Sequence, residues 1–301
     1  MAGGQERVLR RRIRTVQSTK KITKAMELIA ASQIVRSLNR MTSNRPYRAA
    51  MARIVLEAAK GDPAAAEKLL GEPEERHNVA VLCIVADRGL AGPYNSAVLR
   101  TTERLVASLG REGISVRLYS VGKKAQGYFR FRHQAVERSF TGMSERPTWS
   151  DAREVAAVVS APFVAGDVDQ VLLVSTRYRS AGSQIVETRQ LLPLPEPAAS
   201  GDEQPEEAGG SGYTEFEPDV ETLLAQLAPR AVESEVFTAL LEGAASFFTA
   251  QQRAMAAASD NADELIRTLT RVMNRARQDS ITTEIMEIVS GAEALRAGKG
   301  A

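Results

Sequence analysis

Residues 255–276 read MAAASDNADELIRTLTRVMNRA, and their spacing decides the fold. Met255, Ala258, Ala262, Leu265, Leu269, Val272 and Ala276 follow one another at alternating steps of three and four. That alternation keeps one apolar stripe turned toward a partner helix, the seam of a coiled coil. The spacing then slips by five and resumes at Ile281, Ile285, Ile288, Ala292 and Leu295. No proline interrupts the run after Pro229, which sits where a first helical turn tolerates it. The roughly 60 residues to Gly291 would make a rod of about 90 Å. No compact domain of this size needs such a helix, so the pattern points to a mechanical or architectural role.

A second long helix is expected at the other end of the chain, from Gln5 to about Lys60. Leu9, Ile13 and Val16 form one stretch of seam and Ile22, Met26 and Ile29 another, with Leu28, Ala31, Val35 and Leu38 beside it. Pro46 should kink or briefly break this helix, and Gly61-Asp62-Pro63 should end it. At about 80 Å it is too long to fold usefully alone. Two seamed helices at opposite ends of one chain are natural partners, so an antiparallel coiled coil is expected.

Between them the period changes. Val79–Val85, Ile114–Val121, Gln134–Ser139, Val171–Thr176 and Gln184–Leu192 read as strands. Helices are expected after Gly92 through Leu109, from Gly122 to about Phe131, and over Asp151–Ala161 with Ser150 or Asp151 as cap. Strands alternating with helices predict a mainly parallel, Rossmann-like sheet. The fold class is therefore α/β: a long antiparallel coiled coil of N- and C-terminal helices plus a central Rossmann-like domain. The expected organisation is a coiled-coil helix over 1–60, a polar connector over 61–76 and the α/β domain over 77–195. A mobile acidic loop follows over 196–217, then a short helix and the long coiled-coil helix over 218–301. The loop carries Glu196, Asp202, Glu203, Glu206 and Glu207 without an apolar face. Pro218 should open the short helix to Leu227, and Pro229 the long one.

Composition narrows the function classes. The 301 residues are 44% hydrophobic and 25% charged with a net charge of +2, an ordinary balance. No apolar run approaches a membrane span, and the N-terminus lacks the apolar core of a secretory signal. Cys83 is the only cysteine, which excludes an intrachain disulfide. The sheet invites a nucleotide-binding reading, yet neither G-x-G-x-x-G nor G-x-x-x-x-G-K-[ST] occurs. Gly89 and Gly92 precede a helix N-terminus that could bind an anion, but Pro93 removes one donor and favours a structural turn. His77 and His133 stand far apart without clustered ligands, so no metal site is expected. No catalytic residue and no cofactor is assigned. A nucleotide-dependent Rossmann-type enzyme and a coiled-coil scaffold or nucleic-acid-binding protein stand as the alternatives.

The N-terminal helix carries Arg7, Arg10, Arg11, Arg12, Arg14, Lys20, Lys21 and Lys24 with no acid between Glu6 and Glu27. This block suits a solvated basic face, contact with an acidic protein surface or, without aromatic interleaving, a nucleic-acid arm. Four stretches then combine. Ile281-Thr282-Thr283-Glu284-Ile285-Met286-Glu287-Ile288-Val289-Ser290-Gly291-Ala292-Glu293-Ala294 resembles the C-terminal signature of the gamma subunits of F-type ATP synthases. Lys20-Lys21-Ile22-Thr23-Lys24-Ala25-Met26-Glu27-Leu28-Ile29-Ala30-Ala31-Ser32 resembles their N-terminal motif. Asp87-Arg88-Gly89-Leu90 with Gly92 and Asn95 is similar to their first sheet loop, and Asn261-Ala262 with Arg275-Ala276-Arg277-Gln278 also fits.

The resemblance covers the chain from end to end. It implies a central-stalk rotor that couples rotation of a c-ring to conformational cycling of catalytic sites elsewhere. The implied partners are the alpha and beta subunits of the catalytic head, the epsilon subunit and the c-ring; nucleic acid is not among them. Toward the head it implies contacts by Arg10, Arg14, Lys20, Lys21, Met26, Arg277, Gln278, Ile281, Ile285 and Ile288. Toward the c-ring foot it implies Phe216 and Glu217. It further implies a non-catalytic subunit, peripheral to the membrane, on the cytoplasmic face of the bacterial cell membrane, with a motif too close to Met1 for a transit peptide. Gln33, Ala91 and Pro93 depart from the usual pattern, and a lone Cys83 leaves no pair for thiol switching.

Overall fold

The computed structural model describes residues 2–61, 71, 76–194 and 220–297. In chain order the elements are α1 (Ala2–Gly61), β1 (Asn78–Ile84), α2 (Tyr94–Arg111), β2 (Ser115–Val121), α3 (Lys123–Phe131), β3 (Arg138–Phe140), α4 (Trp149–Val164), β4 (Gln170–Tyr178), β5 (Gln184–Leu192) and α5 (Val220–Ala297). They fall into two compact units, one of Met1–Ile29 with Gln252–Ala301 and one of Ala30–Gln251. The acidic stretch 196–217, most of the 61–76 connector, Phe216 and Glu217 lie outside the described residues.

In the first unit the ends of α1 and α5 run antiparallel. Lys20 Nζ meets Asp263 at 2.6 Å, and the hydroxyls of Thr23 and Ser259 lie 2.7 Å apart. The heptad seam is present on α5, where Met255, Ala262, Leu269 and Ala276 hold their expected places and every second position lies one residue later. Met255, Ser259, Ala262, Leu269 and Ser280 are buried, with Ile266, Met273 and Ala276 half-buried between them. Leu265 and Val272, expected on the seam, are 40% and 43% exposed. The predicted slip after Ala276 does not occur, because the next seam residue is Ser280 at a step of four. Apolar pattern alone misplaced both features, since the polar Ser259 and Ser280 occupy seam positions. The same correction applies to α1. Its seam passes through Ile13, Thr23 and Ala30, while Ile22 and Ile29 are about 60% exposed.

The second unit holds the sheet, ordered β3-β2-β1-β4-β5, parallel except for the antiparallel β4–β5 pair. Every residue of β1 from Val79 to Ile84 is buried, as a strand covered on both faces must be. Its alternation divides the core. Ala80, Leu82 and Ile84 face α4 and the helices α1 and α5; Val79, Val81 and Cys83 face α2 and α3. β3 is shorter than expected: residues 134–137 are largely exposed, and only Arg138–Phe140 pair with β2. The cap of α4 is Thr148, whose hydroxyl accepts the Asp151 N–H while Asp151 accepts the Thr148 N–H, a reciprocal capping box.

Both long helices run through their prolines. α1 continues unbroken across Pro46, and α5 is one helix from Val220 through Pro229, so the described residues 220–227 of the expected short helix belong to it. Pro46 is bracketed by contacts to α5: Asn44 donates to Thr238 at 3.0 Å and Arg48 Nε to Glu235 at 2.7 Å. These pins on either side outweigh the lost helix bond. With half-buried Asn44 and Arg48 between them, the buried residues Ser37, Met41, Met51, Val55 and Ala58 keep the same three-four alternation past the proline.

Candidate partner interface

The first place to look in a Rossmann-like sheet is the crevice beyond the carboxyl ends of the parallel strands. Here that crevice is closed by the chain itself. Asp87, following β1, accepts the Lys123 N–H at the start of α3 (3.0 Å), the Gly142 N–H after β3 (3.0 Å), and the Ser144 hydroxyl (2.8 Å) and N–H (3.3 Å). Burial alone would raise the Asp87 carboxyl, but these hydrogen bonds prevail and hold it below the usual carboxylate range. The helix-terminal position where a phosphate would sit is thus filled by an internal anion.

The rest of the loop serves the same closure. Asn95 accepts the Ala86 N–H and donates to the Arg88 carbonyl. Gly122 has φ 102°, and a Cβ there would lie 2.4 Å from the Val85 carbonyl oxygen. Tyr94 donates to the Gly243 carbonyl of α5 at 3.0 Å. Leu90 turns outward, 62% exposed at φ 63°. Cys83 lies beneath, with burial pushing its thiol up to about 12 against the opposing hydrogen bond of Thr102. Among the described residues no His, Cys, Asp and Glu gather as a metal site.

The other candidates lie on the first unit. Arg7, Arg10, Arg11, Arg12, Arg14, Lys21 and Lys24 are exposed. Arg10 pairs with Glu6 and Lys24 with Glu27, while half-buried Lys20 is committed to Asp263 across the seam. No described carboxylate lies within ion-pair distance of Arg7, Arg11, Arg12, Arg14 or Lys21. Met26 is half-buried, whereas Arg277 and Gln278 are exposed. Gln278 shares a shallow open groove on α5 with Arg267, Arg271, Asn274 and Arg275. The structure therefore groups Gln278 with an arginine row that sequence reading left out, although its spacing of four was the available signal. From Ile281 to Ala292 every residue is exposed, including Ile281 (45%), Ile285 (54%) and Ile288 (71%). Among the described residues no helix is long and apolar enough to cross a membrane.

A seamed helical pair in one unit and, in the other, a Rossmann-like sheet with a self-occupied phosphate seat define the class, that of α/β proteins built on two long terminal helices. The comparisons agree. The profile of the family described as ATP synthase matches residues 5–295. The ATP synthase gamma chain of Parafrankia sp. is 48% identical over 299 residues, covering 98% of this chain and 99% of that one. That of Frankia casuarinae is 46% identical with the same coverage. A chain of the Euglena gracilis mitochondrial ATP synthase, in a structure of OSCP, F1 and c-ring, shares the fold with a TM-score of 0.67 at 18% identity. The match covers 99% of this chain and 97% of that one. The chain belongs to the ATP synthase gamma family and is a rotor subunit of the F-type synthase.

Proposed function

We propose that this chain acts without a catalytic site of its own, as the shaft that carries c-ring rotation to the alpha and beta subunits of the catalytic head. The observation that carries the reading is the stretch Ile281–Ala292. It is a helix with Ile281, Ile285, Met286, Ile288 and Val289 all 45% or more exposed. Apolar surface of this extent marks a place where another protein belongs. A smooth apolar tip in a hydrophobic sleeve resists rotation little, because such contacts have no preferred direction. The unpaired cations Arg7, Arg11, Arg12, Arg14 and Lys21, with Arg10, suit an acidic face on the surrounding head. Lys20 is assigned to seam pairing with Asp263 as well as to the head. Arg277 and Gln278, exposed at the end of the seam, are the proposed grip, with Met26 at the same family-level contact. The internal anion at Asp87 supports a sheet used for shape rather than for nucleotide chemistry.

The foot, with Phe216 and Glu217, is proposed to meet the c-ring and the sheet domain to meet epsilon. The subunit would then lie on the cytoplasmic face of a bacterial membrane, driven by protons. Co-purification tests the assembly, with alpha, beta and epsilon subunits expected to come down with the tagged chain. Arg277→Ala with Gln278→Ala is expected to lower ATP synthesis in membrane vesicles about tenfold through lost charged hydrogen bonds, with assembly intact. Unchanged synthesis removes these two residues from the grip.

A further inference from the structure

The sheet face that meets α5 is apolar at its centre and charged along β5. Arg189 stands among three carboxylates: Glu187 at 3.1 Å, Glu242 at 3.5 Å and Glu235 at 3.8 Å. Arg48 of α1 closes on Glu235 at 2.7 Å, and Arg177 of β4 on Glu187 at 3.8 Å. Three arginines and three glutamates from four elements make a neutral set, with no side chain more than 29% exposed and Glu242 only 8%. Burial pushes the Glu242 carboxyl up, while Arg189, Arg177 and Arg48 pull it down.

Stability is a weak explanation for this set, since well-packed apolar residues of equal volume often do as well as a buried ion group. What apolar packing lacks is a fixed position. A hydrophobic face can slide while keeping most of its contact, whereas moving Arg189 off Glu242 leaves that carboxylate buried without its arginine, Arg189 keeping only Glu187 of its own strand. Glu235 and Glu242 are seven residues apart on α5, about 10 Å along its axis. A slip of one turn in either direction would set Arg189 against Ala231, Thr238, Ala239, Ala245 or Ser246, none of them charged.

We infer that the Arg189–Glu242 centre is a register key that holds the sheet at one height on α5, so that force applied to the sheet domain reaches the long helix without slip. This rests on the shaft reading and adds to it the step inside the chain. Arg189 and Glu242 are positioning residues and touch no partner in this role.

The test uses the assembled synthase. Arg189→Met with Glu242→Leu removes the central pair and leaves Arg48–Glu235 and Arg177–Glu187 matched in charge. The complex is expected to assemble and to hydrolyse ATP without load at the wild-type rate. Its rotation against viscous load is expected to fall about threefold or more, the scale of a coupling residue. Val236→Ala, which trims a fully buried apolar contact of the same helix, is expected to lower thermal stability and leave loaded rotation unchanged. If the double variant does not assemble, Glu242→Gln is read in the same assay with the same loss expected. Wild-type loaded rotation in the charge-deleted variant overturns the key, as does an equal loss in Val236→Ala. Absence of rotation in the wild-type complex would instead overturn the shaft reading.

Discussion

Replacing Asp87 by alanine gives a direct measure of how firmly the crevice is closed. The carboxylate accepts four hydrogen bonds, of which three, at 2.8, 3.0 and 3.0 Å, are well formed. The group is only partly buried, so water can replace some of what is lost. About 1 kcal/mol for each good bond gives a loss of about 3 kcal/mol in the sheet unit. With a urea dependence of about 2 to 3 kcal/mol per molar, the midpoint should fall by about 1 to 1.5 M. The chain has one tryptophan to report it. Trp149 packs edge-on against Tyr47 and Phe237, with ring centroids 5.4 and 5.3 Å apart, so its emission follows unfolding of this unit.

The pH dependence fixes the cause. A carboxyl depressed by folding contributes stability that is full above its unfolded pKa of about 3.9 and is lost as pH falls through the lower folded value. The gap between wild type and Asp87→Ala should therefore be level from pH 7 to about 5 and begin to close below about 4. A gap under about 1 kcal/mol at pH 7, or one that widens on acidification, would refute the reasoning.

Two further expectations follow from positions where the structure departs from, or adds to, the sequence pattern. Leu269→Ala should cost roughly 2 to 3 kcal/mol of helix-pair stability by opening a buried site. Leu265→Ala, one turn earlier and 40% exposed, should cost less than about 1 kcal/mol; circular dichroism melts giving the reverse order would restore the original seam. Gly122→Ala should destabilise the sheet unit by roughly 4 kcal/mol, since the methyl would enter the Val85 carbonyl at positive φ. Near-native stability in a denaturant titration would contradict that geometry.

The centre of the sheet was legible because β1 is buried on both faces and β2 and β4 are mostly buried, so they stand out as short apolar runs, whereas β5 is only partly buried before Leu191. β1, β2, β4 and β5 lie within about two residues of where hydrophobicity and turn residues place them. The seam was legible as a period but not as a phase. Ala258 and Ser259, Leu265 and Ile266, Val272 and Met273 are adjacent, and each pair fits a heptad equally well. The chosen member was decided by what faces it, as Thr23 does Ser259. On the candidate interface, Arg277 and Gln278 stood out by resemblance, whereas the Arg267–Arg271–Arg275 row needed the exposed face of α5 to appear as one surface.

Local sequence determined what depends on near neighbours along the chain: two long helices, an alternating α/β middle, and a loop at Asp87 without a phosphate-binding fingerprint. Tertiary structure decided what depends on groups distant in sequence. Asp87 becomes the anion of the crevice only because the loops after β2 and β3 bring three backbone N–H groups and a hydroxyl to it. Pro46 and Pro229 stay within continuous helices, and at Pro46 contacts to α5 outweigh the local preference to break. Arg189 finds Glu242 across 53 residues of chain, an encounter that no local pattern encodes and that burial then makes specific.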